Sequence, residues 1–106
     1  LIPTGQIAPV QGSTFDLRSP VAPSPEIDHN FVLNEAGAGT TLASATLRLD
    51  IETDAPGVQI YSGKPFGIAI APQHFPDAMH HDTFPSIELR PGITYSQFST
   101  YRFSAR

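Results

Sequence analysis

Proline and glycine punctuate this chain too densely for helices. Eleven Pro and eight Gly are spread through 106 residues. An interior Pro removes a helical hydrogen bond and clashes with the preceding turn, and each Gly weakens a helix by about 1 kcal/mol relative to Ala. The stretches between them are short and carry β-branched and aromatic residues, which suits strands joined by turns. Residues 42–52 alternate: Leu42, Ser44, Thr46, Arg48, Asp50 and Glu52 share one parity, and Ala43, Ala45, Leu47, Leu49 and Ile51 the other. A period of two over that length predicts a single half-buried strand. Residues 58–62 predict another, with Val58, Ile60 and Ser62 opposing Gln59 and Tyr61. Residues 66–71 are almost wholly apolar and read as a strand covered on both faces. Residues 94–106 carry aromatics on both parities, so they predict a strand paired centrally between two layers.

The remaining segments are turns and loops. Asp54-Ala55-Pro56-Gly57, Gly63-Lys64-Pro65 and Arg90-Pro91-Gly92 are turn signals, and residues 34–41 form a Gly-rich turn. Residues 7–10 fit a short edge strand, where Pro9 is tolerated. Residues 19–25 have polyproline character. Phe15 and Leu17 upstream of them mark a tail that packs on the body. Residues 76–81 fit one helical turn or a tight loop, and residues 87–89 a short strand. The resulting expectation is an all-β, antiparallel chain of five to seven strands, a β-sandwich rather than a closed barrel.

Charge narrows the function. Six Lys and Arg against ten Asp and Glu give a formal net charge of -4. A basic nucleic-acid footprint is excluded, and so is a polybasic patch for an anionic membrane. There is no Cys, hence no disulfide, thiolate metal site or Cys nucleophile. No apolar run approaches the roughly 20 residues of a membrane-spanning helix. The chain opens at Leu1 without an initiator Met, which reads as a segment of something longer.

Three constellations are candidates for chemistry. Asp28-His29-Asn30 interrupts an apolar patch, residues 27–33. A carboxylate beside an amide suits a ligand with several hydroxyls, but the plainer reading is a turn that uses Asp and Asn for local backbone bonds. Gln59 lies in an apolar strand and points either into a cleft or to solvent. His74, His80, His81 and Asp82 invite a metal reading. Adjacent His80 and His81 point apart in helix or strand, however, so a solvated loop fits better. No metal and no cofactor are expected. No Ser-His-Asp arrangement is legible, and Gly37-Ala38-Gly39 lacks the pattern of a phosphate loop.

Several segments together resemble the aldose 1-epimerase (galactose mutarotase) family. Residues 1–10 with Phe15-Asp16-Leu17-Arg18 resemble one stretch of it. Ile27-Asp28-His29-Asn30-Phe31-Val32-Leu33 resembles its DHNF segment, and Ala55-Pro56-Gly57-Val58-Gln59-Ile60-Tyr61-Ser62-Gly63 its PGVQFYTG strand. Pro72-Gln73-His74-Phe75-Pro76-Asp77-Ala78, Leu89-Arg90-Pro91-Gly92 and Tyr101-Arg102-Phe103-Ser104 resemble its closing segments, in order.

The resemblance implies the C-terminal part of a galactose-mutarotase-like β-supersandwich, residues 1–106 forming a single segment. It implies a cofactor-free aldose 1-epimerase, an isomerase of carbohydrate metabolism that interconverts α and β anomers of aldohexoses. In the family a Glu takes the proton from the anomeric hydroxyl while a His protonates the ring oxygen. The ring opens, the aldehyde rotates, and the ring recloses on its other face. Asp28 matches a family carboxylate that binds sugar hydroxyls, and Gln59 a Gln lining the same pocket. The base is the departure: Ile70-Ala71-Pro72-Gln73 puts Ala71 at the Glu position. The expected catalytic set within this chain is therefore empty: the resemblance implies one piece of a split or cleaved enzyme, impaired because its base is missing, with a non-catalytic carbohydrate-binding or structural β-sandwich module as the alternative. A shortened connection, Gly63-Lys64-Pro65-Phe66-Gly67, is a second departure. The implied partners are a monosaccharide and an N-terminal mutarotase-like chain, or self-association through exposed sheet edges. The implied location is cytoplasmic.

Overall fold

The computed structural model describes residues 2–35, 39–65 and 67–106. Six strands form two three-stranded antiparallel sheets. They are β1 (Asp28–Val32), β2 (Gly39–Ala43), β3 (Leu47–Thr53), β4 (Gly57–Lys64), β5 (Gly67–Gln73) and β6 (Ser99–Ala105). The first sheet has the order β1-β4-β5 and the second β2-β3-β6. The all-β, two-sheet expectation holds. A 3-10 turn, Ala78–His80, follows β5.

The chain passes from one sheet to the other at Asp54-Ala55-Pro56, between β3 and β4. The turn is held at its ends: the Ala55 N–H donates to Thr53 Oγ1 at 3.1 Å, and the Phe98 N–H to Asp54 Oδ1 at 2.9 Å. Arg90-Pro91-Gly92 closes as expected, with the Ile93 N–H bonded to the Arg90 carbonyl. Gly92 supplies the positive φ, 86°, that the turn requires.

The core lies under the first sheet. Ile27, Val58 and Ile60 are buried there, with Phe15, Leu17, Phe31, Leu33, Ile68 and Ile70 packed around them. These residues share one parity of the pleat, so alternation alone sorts β4 into a buried side and a polar side. Phe15 and Leu17 do fold back as a tail onto this body. A second cluster, Phe75, Ala78 and Phe84, sits beyond β5, its two rings edge to face at 5.1 Å.

Four sequence expectations need correction. Residues 42–52 are two strands, not one. Ser44 breaks them: its backbone N–H bonds to the Leu47 carbonyl and its Oγ accepts from the Thr46 and Leu47 N–H groups. Serine competes for local backbone bonds in this way, and the alternation runs on through the turn by coincidence. Residues 66–71 are not covered on both faces. β5 is an edge strand with Ala69 and Ala71 exposed, and Pro72 is accommodated because no strand beyond it needs its missing N–H. Phe66 lies outside the described residues, as do 36–38 of the Gly-rich turn. β6 is likewise an edge, exposed along its whole length rather than central. Residues 7–10 and 87–89 are not strands.

The outer face of the second sheet is charged. Asp50 accepts from Arg48 Nε and Nη2 at 2.8 and 2.9 Å, and from Thr41 Oγ1 at 2.7 Å. These bonds, Arg48 first, hold the Asp50 carboxyl down to about 2. Because the folded value is depressed, the pairing supports the fold above about pH 4, the unfolded range, and is lost as pH falls through the folded value. Arg48→Gln is expected to move the Asp50 midpoint up toward the ordinary range in an NMR titration. An unmoved midpoint would assign the shift to Thr41.

Candidate functional site

Strand register builds the site. Asn30 stands opposite Gln59, and Gln59 opposite Ala71, so the three form one row across β1, β4 and β5. Asp28 pairs with Tyr61 one step along the same face, and Gln73 pairs with Gly57 one step the other way. Residues directly opposite share a face, so Asp28, Asn30, Gln59, Tyr61, Ala71 and Gln73 all project away from the core.

Hydrogen bonds tie this polar face together. Gln59 Nε2 donates to Asp28 Oδ1 at 2.9 Å. Gln73 Nε2 donates to Gln59 Oε1 at 3.3 Å and to Asn30 Oδ1 at 3.2 Å. The two glutamine amides therefore run head to tail and end on the carboxylate. Each acceptor they engage is fixed in direction, which sets the orientation of the groups left over. Among the described residues, Asp28 Oδ2, the Asn30 amide N–H groups and Gln73 Oε1 have no side-chain partner within the network. They are acceptors and donors of the kind that hydroxyl groups satisfy.

Both residues expected from the sequence, Asp28 and Gln59, thus meet, and they are bonded to each other. Asn30, part of the Asp28-His29-Asn30 constellation, joins them. His29 does not: it faces the other side, where its ring lies 4.5 Å from that of Phe15. Gln73 was not singled out from the sequence. Its signal was parity, since it stands two residues from Ala71 in a strand whose partner holds Gln59.

Space at position 57 is part of the geometry. A Cβ there would lie 2.9 Å from Asn30 Oδ1 and 3.0 Å from both the Phe31 carbonyl and Phe75 Cε1. Only glycine lets Asn30 seat against β4.

The face is an open platform rather than an enclosed cavity. Two depressions, about 410 and 330 Å³, are lined around Asp16 and Arg18 and around His74 and Tyr95, and include neither Asp28 nor Gln59.

The histidines do not gather as a metal centre among the described residues. His74 lies against Tyr95, ring centroids 6.3 Å apart. Asp77 bridges the adjacent pair, bonding His80 Nδ1 and standing 3.4 Å from His81 Nε2. Neighbouring imidazoles that were expected to point apart so converge on one carboxylate, three and four residues after it through the 3-10 turn that Asp77, at φ 58°, precedes. The His80 bond, chiefly, holds the Asp77 carboxyl below its usual range.

The sequence model of the aldose 1-epimerase family matches residues 1–102. Galactose mutarotase of Rattus norvegicus is 36% identical over 133 residues, covering 98% of this chain and 39% of that protein. The Homo sapiens galactose mutarotase is 35% identical over the same coverage. Aldose 1-epimerase of Escherichia coli K12 is 30% identical over 139 residues, 98% of this chain and 40% of that protein. The chain therefore spans about two fifths of the length of the curated relatives it matches. The span aligned with the rat protein is also longer than the chain itself, so that relative carries residues within the matched region that have no counterpart here. Matched almost from end to end, this chain belongs to the aldose 1-epimerase family.

Proposed function

We propose that the polar face of β1-β4-β5 is the sugar-binding part of an aldose 1-epimerase site, which takes an aldohexose and lacks the catalytic base. The observation that carries this reading is the row Asn30–Gln59–Ala71 with Asp28 bonded to Gln59. Asp28 offers a free carboxylate oxygen to a pair of sugar hydroxyls, and Gln59 holds that carboxylate in place. The family reaction needs an acceptor for the anomeric proton. On this reading Ala71 occupies its position, and a methyl group takes no proton. The family acid, a His, is supplied from outside these residues, so the site is one piece of a larger assembly located in the cytoplasm. The open platform and the shorter matched region fit a pocket whose remaining walls come from further polypeptide, or from a second copy.

A second reading is favoured by Ala71 itself: a carbohydrate-binding module that holds an aldohexose without turning it over. Calorimetry with galactose and glucose tests what the two readings share. Asp28→Asn keeps the shape and removes the charge, and is expected to weaken sugar binding by about 1–3 kcal/mol, the worth of a charge-assisted hydrogen bond. Equal affinity of the two proteins would remove Asp28 from the site.

A further inference from the structure

Gln73 holds the polar face of the first sheet together. It ends β5, half-buried, opposite Gly57 in the register. Its amide nitrogen meets two acceptors, Gln59 Oε1 at 3.3 Å and Asn30 Oδ1 at 3.2 Å. An amide nitrogen carries two hydrogens, so both are engaged.

The direction of all these bonds follows from one group. The Asp28 carboxylate accepts, so Gln59 turns its nitrogen toward it, 2.9 Å away. Gln59 then has its oxygen left for Gln73. Gln73 must donate, and its second hydrogen calls for the oxygen of Asn30. A flipped amide anywhere along the row would set acceptor against acceptor or donor against donor. Gly57 supports the last step independently. A Cβ there would lie 2.9 Å from Asn30 Oδ1, so that oxygen is turned in against β4 and the Asn30 nitrogen is left outward. Among the described residues, a buried side-chain polar atom without a partner occurs at His81 Nε2 and not at Asn30, so the Asn30 nitrogen is open to a ligand.

We infer that Gln73 is a positioning residue: it passes the polarity of the Asp28 carboxylate, through Gln59, on to Asn30, so that the face offers an acceptor at Asp28 Oδ2 and a donor at Asn30 Nδ2. Asp28 and Asn30 stand two residues apart on one strand, their Cα atoms separated by roughly 7 Å. The pair suits two hydroxyls of one polyol, the first donating and the second accepting. An Asn30 amide free to turn would not distinguish them. For its ligand this inference rests on the sugar-binding reading above; the relay itself is read without sugar.

The test is nitrogen-15 NMR of the side-chain amides, read as exchange of their hydrogens with water. In the unsubstituted chain both Gln73 hydrogens are expected to exchange about 5-fold slower than those of exposed Gln11, as one net hydrogen bond confers, and the Asn30 hydrogens at the Gln11 rate. Gln73→Glu puts an acceptor in place of the donor. Asn30 must then turn its nitrogen inward, and its hydrogens slow by a similar factor. Gln59 cannot turn one nitrogen toward carboxylates at both ends, so the thermal midpoint falls. Adding Asp28→Asn supplies a donor at the far end, lets the row run in reverse and restores the midpoint. That recovery is expected to persist in about 1 M salt, which screens simple repulsion between two carboxylates. Galactose calorimetry on the same four proteins reads the ligand side: Gln73→Glu is expected to weaken binding about 10-fold in the unsubstituted background and to cost nothing further beside Asp28→Asn. Asn30 hydrogens that stay fast in the Gln73→Glu protein, or a double variant no more stable than that protein, would overturn the relay. Additive losses of galactose affinity would overturn its role toward the ligand. An unsubstituted chain that binds no galactose would reject the sugar reading and that role with it, while slow Gln73 hydrogens would still uphold the relay.

Discussion

Ala71→Glu is expected to raise the rate of anomer interconversion by about 10²- to 10⁴-fold, the usual worth of a positioned general base. The measurement is polarimetry on α-galactose or α-glucose, with the chain assembled with polypeptide that supplies the family's acid. The geometry favours this gain. Position 71 lies directly opposite Gln59 on the polar face, its methyl group is exposed, and it stands on an edge strand where a longer side chain meets no neighbour on one side. A carboxylate there reaches over the platform that Asp28 and Gln59 already orient. If the unsubstituted assembly turns sugar over at family rates, Ala71 is no impairment. If the substituted assembly stays at the buffer rate, the site has lost more than its base, and the binding-module reading gains.

The largest expected loss of stability follows Ile27→Ala. Ile27 is 1% exposed and packs with Val58 and Ile60 under the site. Its carbonyl accepts the Ser62 N–H at 2.9 Å, which fixes where β1 begins. Truncating a buried Ile costs about 2–5 kcal/mol, the removed area plus the cavity left behind. A domain of this size has about 5–15 kcal/mol in total, so the urea midpoint is expected to fall by a large fraction of its value. Val21→Ala, at an exposed position, is the control and should leave the midpoint unchanged. A small shift for Ile27→Ala would mean that the cluster collapses around the gap.

Parity made most of the site legible. The alternation of Val58, Ile60 and Ser62 against Gln59 and Tyr61 already assigned the two sides of β4, and the structure follows it. The resemblance then picked Asp28 and Gln59 from that polar side. What one sequence could not show was register. Nothing in residues 28–32 says that Asn30 falls opposite Gln59, or that Gln73 lands beside both, because pairing across 29 positions depends on the whole sheet. The errors share a cause. Residues 66–71 and 94–106 carry apolar side chains on both parities, which the sequence expresses as a demand for cover. Among the described residues, the strands they contribute, β5 and β6, are sheet edges, and Ala69, Ala71 and the length of β6 lie exposed. Composition records what a strand requires, not whether its own chain supplies it.

The order of the strands also sets a timetable. β3 pairs with β2 across a short turn, yet its other edge waits for β6, the last element of the chain. A ribosome adding about 5–20 residues per second needs roughly 2–10 s to travel from β3 to β6. Throughout that interval the hairpin presents an unpaired edge beside Leu49 and Ile51, a template for pairing with any neighbouring nascent chain. Arg48, Asp50 and Glu52 stand on the opposite face of that same strand, so the waiting edge is charged on one side from the moment it emerges.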